Sequence, residues 1–249
     1  MWINTRPASL LISIRLDVLK KFDLEDIFII VYIIIMSNLL QKLTMSRKTI
    51  LEMLRDRNVN TSKYDNFSSD ELDIMYAANK KVTHEINEID MIFPDEKVIV
   101  KYTLTSKIRR KDIEGLVNNM INEISENQLS EGYTLLIIVR ETLRTETEID
   151  TFFETIYEKN NIFIQLFDIN KLSFNVTKHD LVPKHTIISD EQKNNIMKKY
   201  QLSDELKFPA IKKNDPVAKY LGMKPGQVCE ITRPSETYGI YTNYRLCVL

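Results

Sequence analysis

The segment 179–249 most constrains the fold, because it carries closely spaced start and stop signals for short elements. Asp215 followed by Pro216 predicts a helix start, since aspartate accepts hydrogen bonds from the free N–H groups of the first turn and proline tolerates the first helical position. Gly222 predicts the end of that helix, where a left-handed residue is common. Gly226 lies in a turn before a predicted strand. These signals predict a small, tightly turned domain with a mixed sheet.

Further elements of this segment follow from capping and from the alternation of apolar residues. Ser189 opens a capping box, which predicts a helix that ends at Tyr200. Alternation predicts strands over 228–232 and 241–248. Residues 233–237 are predicted to leave the first of these strands as an ordered loop, whose side chains rigidify or dock it through hydrogen bonds. The pattern predicts the α+β class for this part of the chain.

Longer elements of alternating type precede this segment. Apolar runs predict strands over 97–104, 133–139 and 162–167, and helical spacing predicts a helix capped by Asp112 and another over 147–159. The order strand, helix, strand, helix, strand predicts an α/β layer with parallel neighbours. The middle strand is apolar on both faces, which is typical of a sheet that is covered on both sides.

An amphipathic helix of roughly five turns is predicted to begin at Ser37. Before it, residues 27–36 form an unbroken apolar run of ten residues, about half of the ~20 that a membrane-spanning helix needs. Residues 1–35 are therefore interpreted as an extension outside the fold, with a native start at Met36 or Met45. The alternative is a membrane-anchored scaffold that uses the apolar run.

These patterns predict an extension over 1–35, an N-terminal domain over 36–170 and a C-terminal domain over 178–249. The chain has a formal net charge of −1, with 12 basic against 8 acidic residues in 178–249 and 18 against 23 in 36–177. A protein that gripped DNA alone would carry a stronger basic field. Any DNA contact is therefore expected to be secondary to docking on another protein.

One tripeptide resembles a fragment of a metal-dependent nuclease motif. Asp95-Glu96-Lys97 follows Pro94, but such an enzyme needs carboxylates at two separate positions on neighbouring strands. A charged turn is the preferred interpretation, and a metal-dependent endonuclease-fold enzyme that processes DNA is the alternative. The sequence contains neither a glycine-rich phosphate loop nor a GxSxG motif. It therefore predicts no catalytic residue, no metal ligand and no cofactor.

The two cysteines, Cys229 and Cys247, both fall in predicted strands. They lack the spacing of a zinc site. A single pair in an otherwise intracellular-looking chain favours two buried thiols over a disulfide.

Several blocks of the C-terminal segment, in the same order, resemble the signature of one family. It is subunit 5 of the eukaryotic nuclear RNA polymerases, together with its smaller archaeal counterpart. The strong resemblance covers about the last 70 residues, and the remainder is similar to the eukaryotic form by size and layout. The blocks are HDLVPKH (179–185), DPVAKYLG (215–222), GQV (226–228), RPSET (233–237) and YR (244–245).

The resemblance implies a non-catalytic subunit of a DNA-directed RNA polymerase, without a small-molecule substrate. In this family the C-terminal domain packs on the largest subunit and helps assembly. The N-terminal domain, which resembles a restriction-endonuclease-like fold, forms part of the lower jaw near downstream DNA. Nucleotidyl transfer belongs to the two largest subunits, so the resemblance implies no catalytic metal in this chain.

Three groups of residues are assigned on this basis. Partner docking is expected of Arg233, Ser235, Glu236, Thr237 and Tyr244. Maintenance of the assembly domain is expected of Asp215, Pro216, Gly222 and Gly226. The basic run of the N-terminal domain is interpreted as a solvated loop or helix start, with weak phosphate contact near DNA as the alternative, and comprises Lys107, Arg109, Arg110 and Lys111.

Composition bears on the source and location of the protein. Isoleucine, asparagine and lysine are abundant, which indicates an AT-rich genome such as that of a large DNA virus. The resemblance implies an intracellular location: the nucleus for a cellular protein, and the virion or a cytoplasmic replication site for a viral one.

Overall fold

Two four-stranded sheets organise the protein. The computed structural model describes residues 24–67, 71–72, 74–75, 89–105, 108–126, 132–141, 146–235 and 239–248. The strands of the first sheet are β1 (Met91–Phe93), β2 (Val98–Thr103), β3 (Thr134–Val139) and β4 (Phe163–Asp168). Three helices accompany it: α1 (Leu24–Asp56), α2 (Arg110–Glu126) and α3 (Glu146–Asn160).

The first sheet has the order β1-β2-β3-β4, and β2, β3 and β4 are parallel, as predicted. The short strand β1, which sequence patterns missed, pairs antiparallel with β2. Side chains of α2 and α3 pack on one face of the sheet and those of α1 pack on the other. Five of the six residues of the central strand β3 are buried, which agrees with the prediction of a sheet covered on both sides.

The helix α1 begins at Leu24, so its predicted start at Ser37 was wrong. The apolar run 27–36 contains no glycine or proline, and neither Ser37 nor Asn38 interrupts the helical backbone. At its other end, Asn58 adopts a left-handed φ of 64° just beyond the helix. In the part of the chain that the structure describes, no helix has both the length and the apolar character required to cross a bilayer.

The helix α2 also begins earlier than predicted, at Arg110. The Asp112 carboxylate accepts a hydrogen bond from the Arg109 N–H at 2.8 Å, so it caps the helix from within the first turn and not from the position before it. A carboxylate at either place stabilises the positive end of the helix dipole, and sequence cannot separate the two.

The second sheet has the order β5-β7-β8-β6 and is mixed, since β6 is parallel to β8 and the other pairs are antiparallel. Its strands are β5 (Lys184–Ile187), β6 (Ala210–Lys212), β7 (Val228–Ser235) and β8 (Gly239–Val248). Two helices flank it: α4 (Asp190–Lys199) and α5 (Pro216–Leu221). The predicted combination of a parallel layer and a smaller mixed sheet is therefore observed.

Two predictions in this region need correction. Residues 233–235 do not form a loop, because they continue β7 and pair with residues 239–241 of β8. Tyr200 does not face inward, since it follows the last turn of α4 and its side chain is 54% exposed. The capping box at Ser189 is present, with both of its hydrogen bonds to Gln192.

Cys229 and Cys247 are free and buried, as predicted. They belong to the apolar cluster between the second sheet and α5. Burial raises the pKa of the Cys229 thiol, and burial followed by the nearby Cys229 raises the pKa of Cys247 to about 11.

Both thiols are expected to react slowly with an aromatic disulfide reagent while the protein is folded. A thiol with a pKa of about 11 is only about 1% thiolate at pH 9, and thiolate is the reactive form. Because the native pKa lies above the ordinary value of 9.0, the stability contributed by the neutral thiol is complete below pH 9 and is lost as the pH rises through 11. Labelling at pH 8 that is equally fast in native and guanidinium-unfolded protein would contradict this prediction.

Candidate functional site

The helix α5 carries the strongest sequence signals and has the predicted ends. The Asp215 carboxylate accepts hydrogen bonds from the N–H groups of Val217 at 2.9 Å and Ala218 at 3.4 Å. Gly222 ends the helix with a φ of 70°. Gly226 has a φ of 86°, in the turn that leads into β7. These residues determine the local backbone, as their residue types require.

The C-terminal end of α5 contacts a buried arginine from the first layer. The Arg57 guanidinium donates hydrogen bonds to the carbonyls of Tyr220 at 3.0 Å and Lys219 at 2.6 Å, and to the Gln165 side chain at 2.9 Å. A Cβ atom at Gly222 would lie 2.9 Å from the Arg57 Cζ atom. Burial lowers the pKa of Arg57 to about 10, and the negative end of the α5 dipole faces the cation.

A hydrogen-bond network surrounds this arginine. The Tyr220 hydroxyl donates to the Asp56 carboxylate at 2.6 Å and accepts from the Asn175 amide at 2.7 Å. The Asn175 amide also contacts Glu52, which binds the Lys178 ammonium at 2.7 Å. Burial, together with the Asp56 carboxylate, raises the pKa of the Tyr220 phenol. The end of α1 is thereby joined to both α5 and the segment before β5.

A second set of contacts joins α5 and its approach to α3 and β4. Lys213 forms an ion pair with Glu154, and the Asn214 amide donates to Asp150 at 2.6 Å. The Lys219 ammonium donates to the Leu166 carbonyl at 3.2 Å. Residues 213–222 therefore hold the two sheets together, a role that sequence patterns did not reveal.

The proposed docking residues are divided by the sheet. Arg233 is exposed and pairs with Tyr241, whereas Tyr244 pairs with Glu230 three positions further along the hairpin. Since side chains alternate along a strand, Arg233 and Tyr244 lie on opposite faces. The Tyr244 hydroxyl donates to Glu230 at 3.2 Å. Burial, followed by the Glu230 charge, raises the pKa of Tyr244.

The end of this hairpin presents apolar and aromatic side chains next to Arg233. Ile240 is 71% exposed and Tyr241 is 53% exposed. Ser235 pairs with Gly239 through the backbone. Glu236 and Thr237 lie outside the described residues. An exposed apolar surface beside an exposed arginine has the composition of a protein-binding surface.

The basic run of the N-terminal domain is partly neutralised. Arg110 binds Glu114 at 2.5 Å and Glu148 at 2.6 Å, and these carboxylates raise the pKa of its guanidinium. Arg109 and Lys111 are exposed. Lys107 lies outside the described residues. Two exposed cations can contribute a weak phosphate contact but not a strong basic field.

The tripeptide that resembles a nuclease motif lies in the turn between β1 and β2. The Glu96 carboxylate accepts from the Asn60 N–H at 3.0 Å, and Lys97 has a left-handed φ of 57°. Within the described ranges, no group of three or more histidine, cysteine, aspartate or glutamate side chains could hold a metal ion.

A buried ion pair lies between α1 and the first sheet. The Lys101 ammonium is 2.6 Å from the Asp90 carboxylate, and the two side chains are 2% and 0% exposed. Asp90 also accepts from the Tyr102 N–H at 2.8 Å. Burial raises the pKa of the neighbouring Tyr102 to about 12. Sequence patterns did not find this pair, because a single lysine in an apolar strand carries no partner signal.

Comparison with known proteins relates the chain to one group. Residues 174–247 match the family described as RNA polymerase Rpb5, C-terminal domain. The subunit rpabc1 of DNA-directed RNA polymerases I, II and III from Dictyostelium discoideum is 33% identical over 215 residues, which covers 84% of this chain and 98% of the relative. Its counterpart RPABC1 from Caenorhabditis elegans is 31% identical, covering 81% and 93%. Subunit 5B of polymerases IV and V from Arabidopsis thaliana is 29% identical, covering 83% and 89%.

Proposed function

The chain belongs to the RNA polymerase subunit 5 family, and on that premise we propose that it is a non-catalytic subunit that docks on the largest subunit of a DNA-directed RNA polymerase. The match to the Dictyostelium subunit carries this proposal, because it extends over 98% of that relative and is not confined to the C-terminal domain. The metal-dependent nuclease is not supported, since the matched relatives are polymerase subunits and Asp95-Glu96-Lys97 forms a turn.

The hairpin end of β7 and β8 is the proposed docking surface. Arg233, Ile240 and Tyr241 supply its exposed side chains, and Ser235, Glu236 and Thr237 extend it along the chain. Tyr244 contacts a partner only from the opposite face of the sheet. A surface of this kind combines an apolar centre with a cation that can form a bidentate contact.

The first sheet and its helices constitute the proposed jaw domain, over 36–170, and the second sheet constitutes the assembly domain, over 178–249. A sheet covered by helices on both faces is compatible with the restriction-endonuclease-like fold expected for the jaw. Arg109 and Lys111 are the exposed cations that can approach downstream DNA. Such contacts position a duplex without reading its sequence. The proposed location is the nucleus in a eukaryotic cell.

Purification through an affinity tag on this chain, from its native source, tests the proposal. Mass spectrometry of the co-purified proteins is expected to identify the two largest polymerase subunits in stoichiometric amounts. A chain recovered alone, with no polymerase subunit above the level in an untagged control, would refute the proposed function.

Arg233→Ala is expected to reduce co-purification of the largest subunit by roughly tenfold, since an arginine at the centre of an interface contributes ~1–2 kcal/mol or more. Lys207→Ala is the matched control, because Lys207 is also an exposed cation of the C-terminal domain but lies away from the hairpin. Circular dichroism should be unchanged in both variants. An unaltered yield of the largest subunit with Arg233→Ala would exclude a docking role for this residue.

A further inference from the structure

The strand β5 is an edge of the second sheet with unpaired backbone groups. Its Cα partners in β7 include Thr186 with Glu230 and Ile187 with Cys229. The Ile188 N–H donates to the Val228 carbonyl at 3.0 Å, which determines the alternation of hydrogen bonds along the pair. Thr186 therefore bonds to β7, whereas the N–H and C=O groups of His185 and Ile187 point away from it.

No described residue forms a hydrogen bond with these outward backbone groups of His185 and Ile187. All four residues of β5 are exposed or half-buried. An edge of this kind is a template for pairing with another extended chain.

This edge borders a large cleft between the two layers. The cleft has a volume of about 930 Å³ and is lined by all four residues of β5. Its opposite wall contains Val98, Thr134 and Phe163, which are the first residues of β2, β3 and β4. A side wall contains Val217 and Leu221 of α5. The volume is sufficient for several residues of an extended peptide.

We propose that an extended segment of another polymerase subunit enters this cleft and pairs with β5 as a fifth strand of the second sheet. The identity of the partner rests on the proposed function, whereas the mode of binding rests on the free edge and the cleft. Main-chain hydrogen bonds supply affinity in this mode, and alternate side chains supply specificity.

The walls define the chemistry of the segment. His185 and Ile187 share the sheet face that packs on α5, together with Cys229 and Ile231. The segment therefore presents apolar side chains to Val217 and Leu221 at alternate positions, and polar side chains on the face of the exposed Lys184 and Thr186. Pro183 lacks an N–H group, so pairing is confined to the outward groups of His185 and Ile187.

Hydrogen exchange at single-residue resolution tests this proposal without any substitution. In the isolated chain, the amides of His185 and Ile187 are expected to exchange rapidly. In the purified polymerase that contains the chain, both are expected to exchange roughly 100-fold more slowly, because each donates to the added strand. The Thr186 amide is the internal control, since it bonds to Glu230 and should be protected in both samples.

Each outcome of the exchange experiment decides the proposal. Equally fast exchange of His185 and Ile187 in the chain and in the polymerase would overturn the added strand and leave the polymerase assignment intact. Absence of the chain from the polymerase would overturn both.

Crosslinking in the polymerase identifies the segment. A photoreactive phenylalanine derivative at Thr186 is expected to crosslink to one short segment of another polymerase subunit, and the same derivative at Lys198 of α4 is expected not to reach it. A crosslink from position 186 only to a second copy of this chain would overturn the proposal.

Discussion

Arg57→Ala is expected to lower the free energy of unfolding by about 3 kcal/mol, since hydrogen bonds from a charged donor contribute about 1.5–3 kcal/mol and buried acceptors left without a donor cost about 1–3 kcal/mol. The guanidinium serves the carbonyls of Lys219 and Tyr220 and the Gln165 side chain together. Arg57→Lys keeps the charge but not the planar fork, so it should recover only part of the loss. Urea unfolding followed by circular dichroism measures the effect.

Arg55→Ala is the matched control for this prediction, because Arg55 lies two positions earlier and pairs with Asp65 with 49% of its side chain exposed. An exposed pair contributes about 0–1 kcal/mol, so the control should lose no more than that. Equal losses for the two arginine variants would show that the buried contacts of Arg57 contribute nothing special.

Gly222→Ala combined with Arg57→Ala tests the contact itself. In the native protein the added Cβ atom meets the guanidinium at 2.9 Å and is also strained by a φ of 70°. Without Arg57 only the left-handed strain remains, at about 1–2 kcal/mol. The glycine substitution should therefore cost less in the Arg57→Ala background than in the wild-type chain. Strict additivity would contradict the close packing of these two residues.

Asp90→Ala is expected to be at least as damaging, with a loss of about 3–5 kcal/mol, because it leaves the buried Lys101 ammonium without this carboxylate. It also removes the acceptor of the Tyr102 N–H. The measurement is the same urea unfolding experiment at pH 7.

Two variants control the Asp90 prediction. Asp65→Ala removes an aspartate from a pair with a side chain 34% exposed and should cost less than about 1 kcal/mol. Joint replacement by Asp90→Ala and Lys101→Met removes both buried charges and should be less destabilising than Asp90→Ala alone. A double variant that is less stable than the single one would argue against an uncompensated ammonium as the cause.

Local chemistry explains which parts of the fold were predictable from sequence. The caps at Ser189 and Asp215 depend on residues within three positions, so short motifs report them. The parallel order of β2, β3 and β4 follows from the alternation of strands and helices, and both were confirmed. The start of α1 was wrong because residues 27–36 contain no residue that ends a helix.

Long-range contacts explain what sequence patterns could not predict. Arg57 meets its acceptors 108 to 163 positions away in the chain, and nothing near it indicates that its charge is buried. Lys101 lies in a strand of six buried residues, whereas a lysine there would ordinarily be assigned to a solvated face. Residues 233–235 were assigned to a loop because Pro234 discourages a strand, yet pairing with residues 239–241 continues the ladder.

The separation of Arg57 from α5 also bears on how the protein forms during synthesis. The carbonyl of Lys219 is 162 positions beyond Arg57, so it leaves the ribosome roughly 10–30 s later at translation rates of about 5–20 residues per second. The first sheet can close around α1 in that interval while the guanidinium is still hydrated. Dehydration of the arginine then accompanies the arrival of α5, which makes the joining of the two layers a late step of biogenesis.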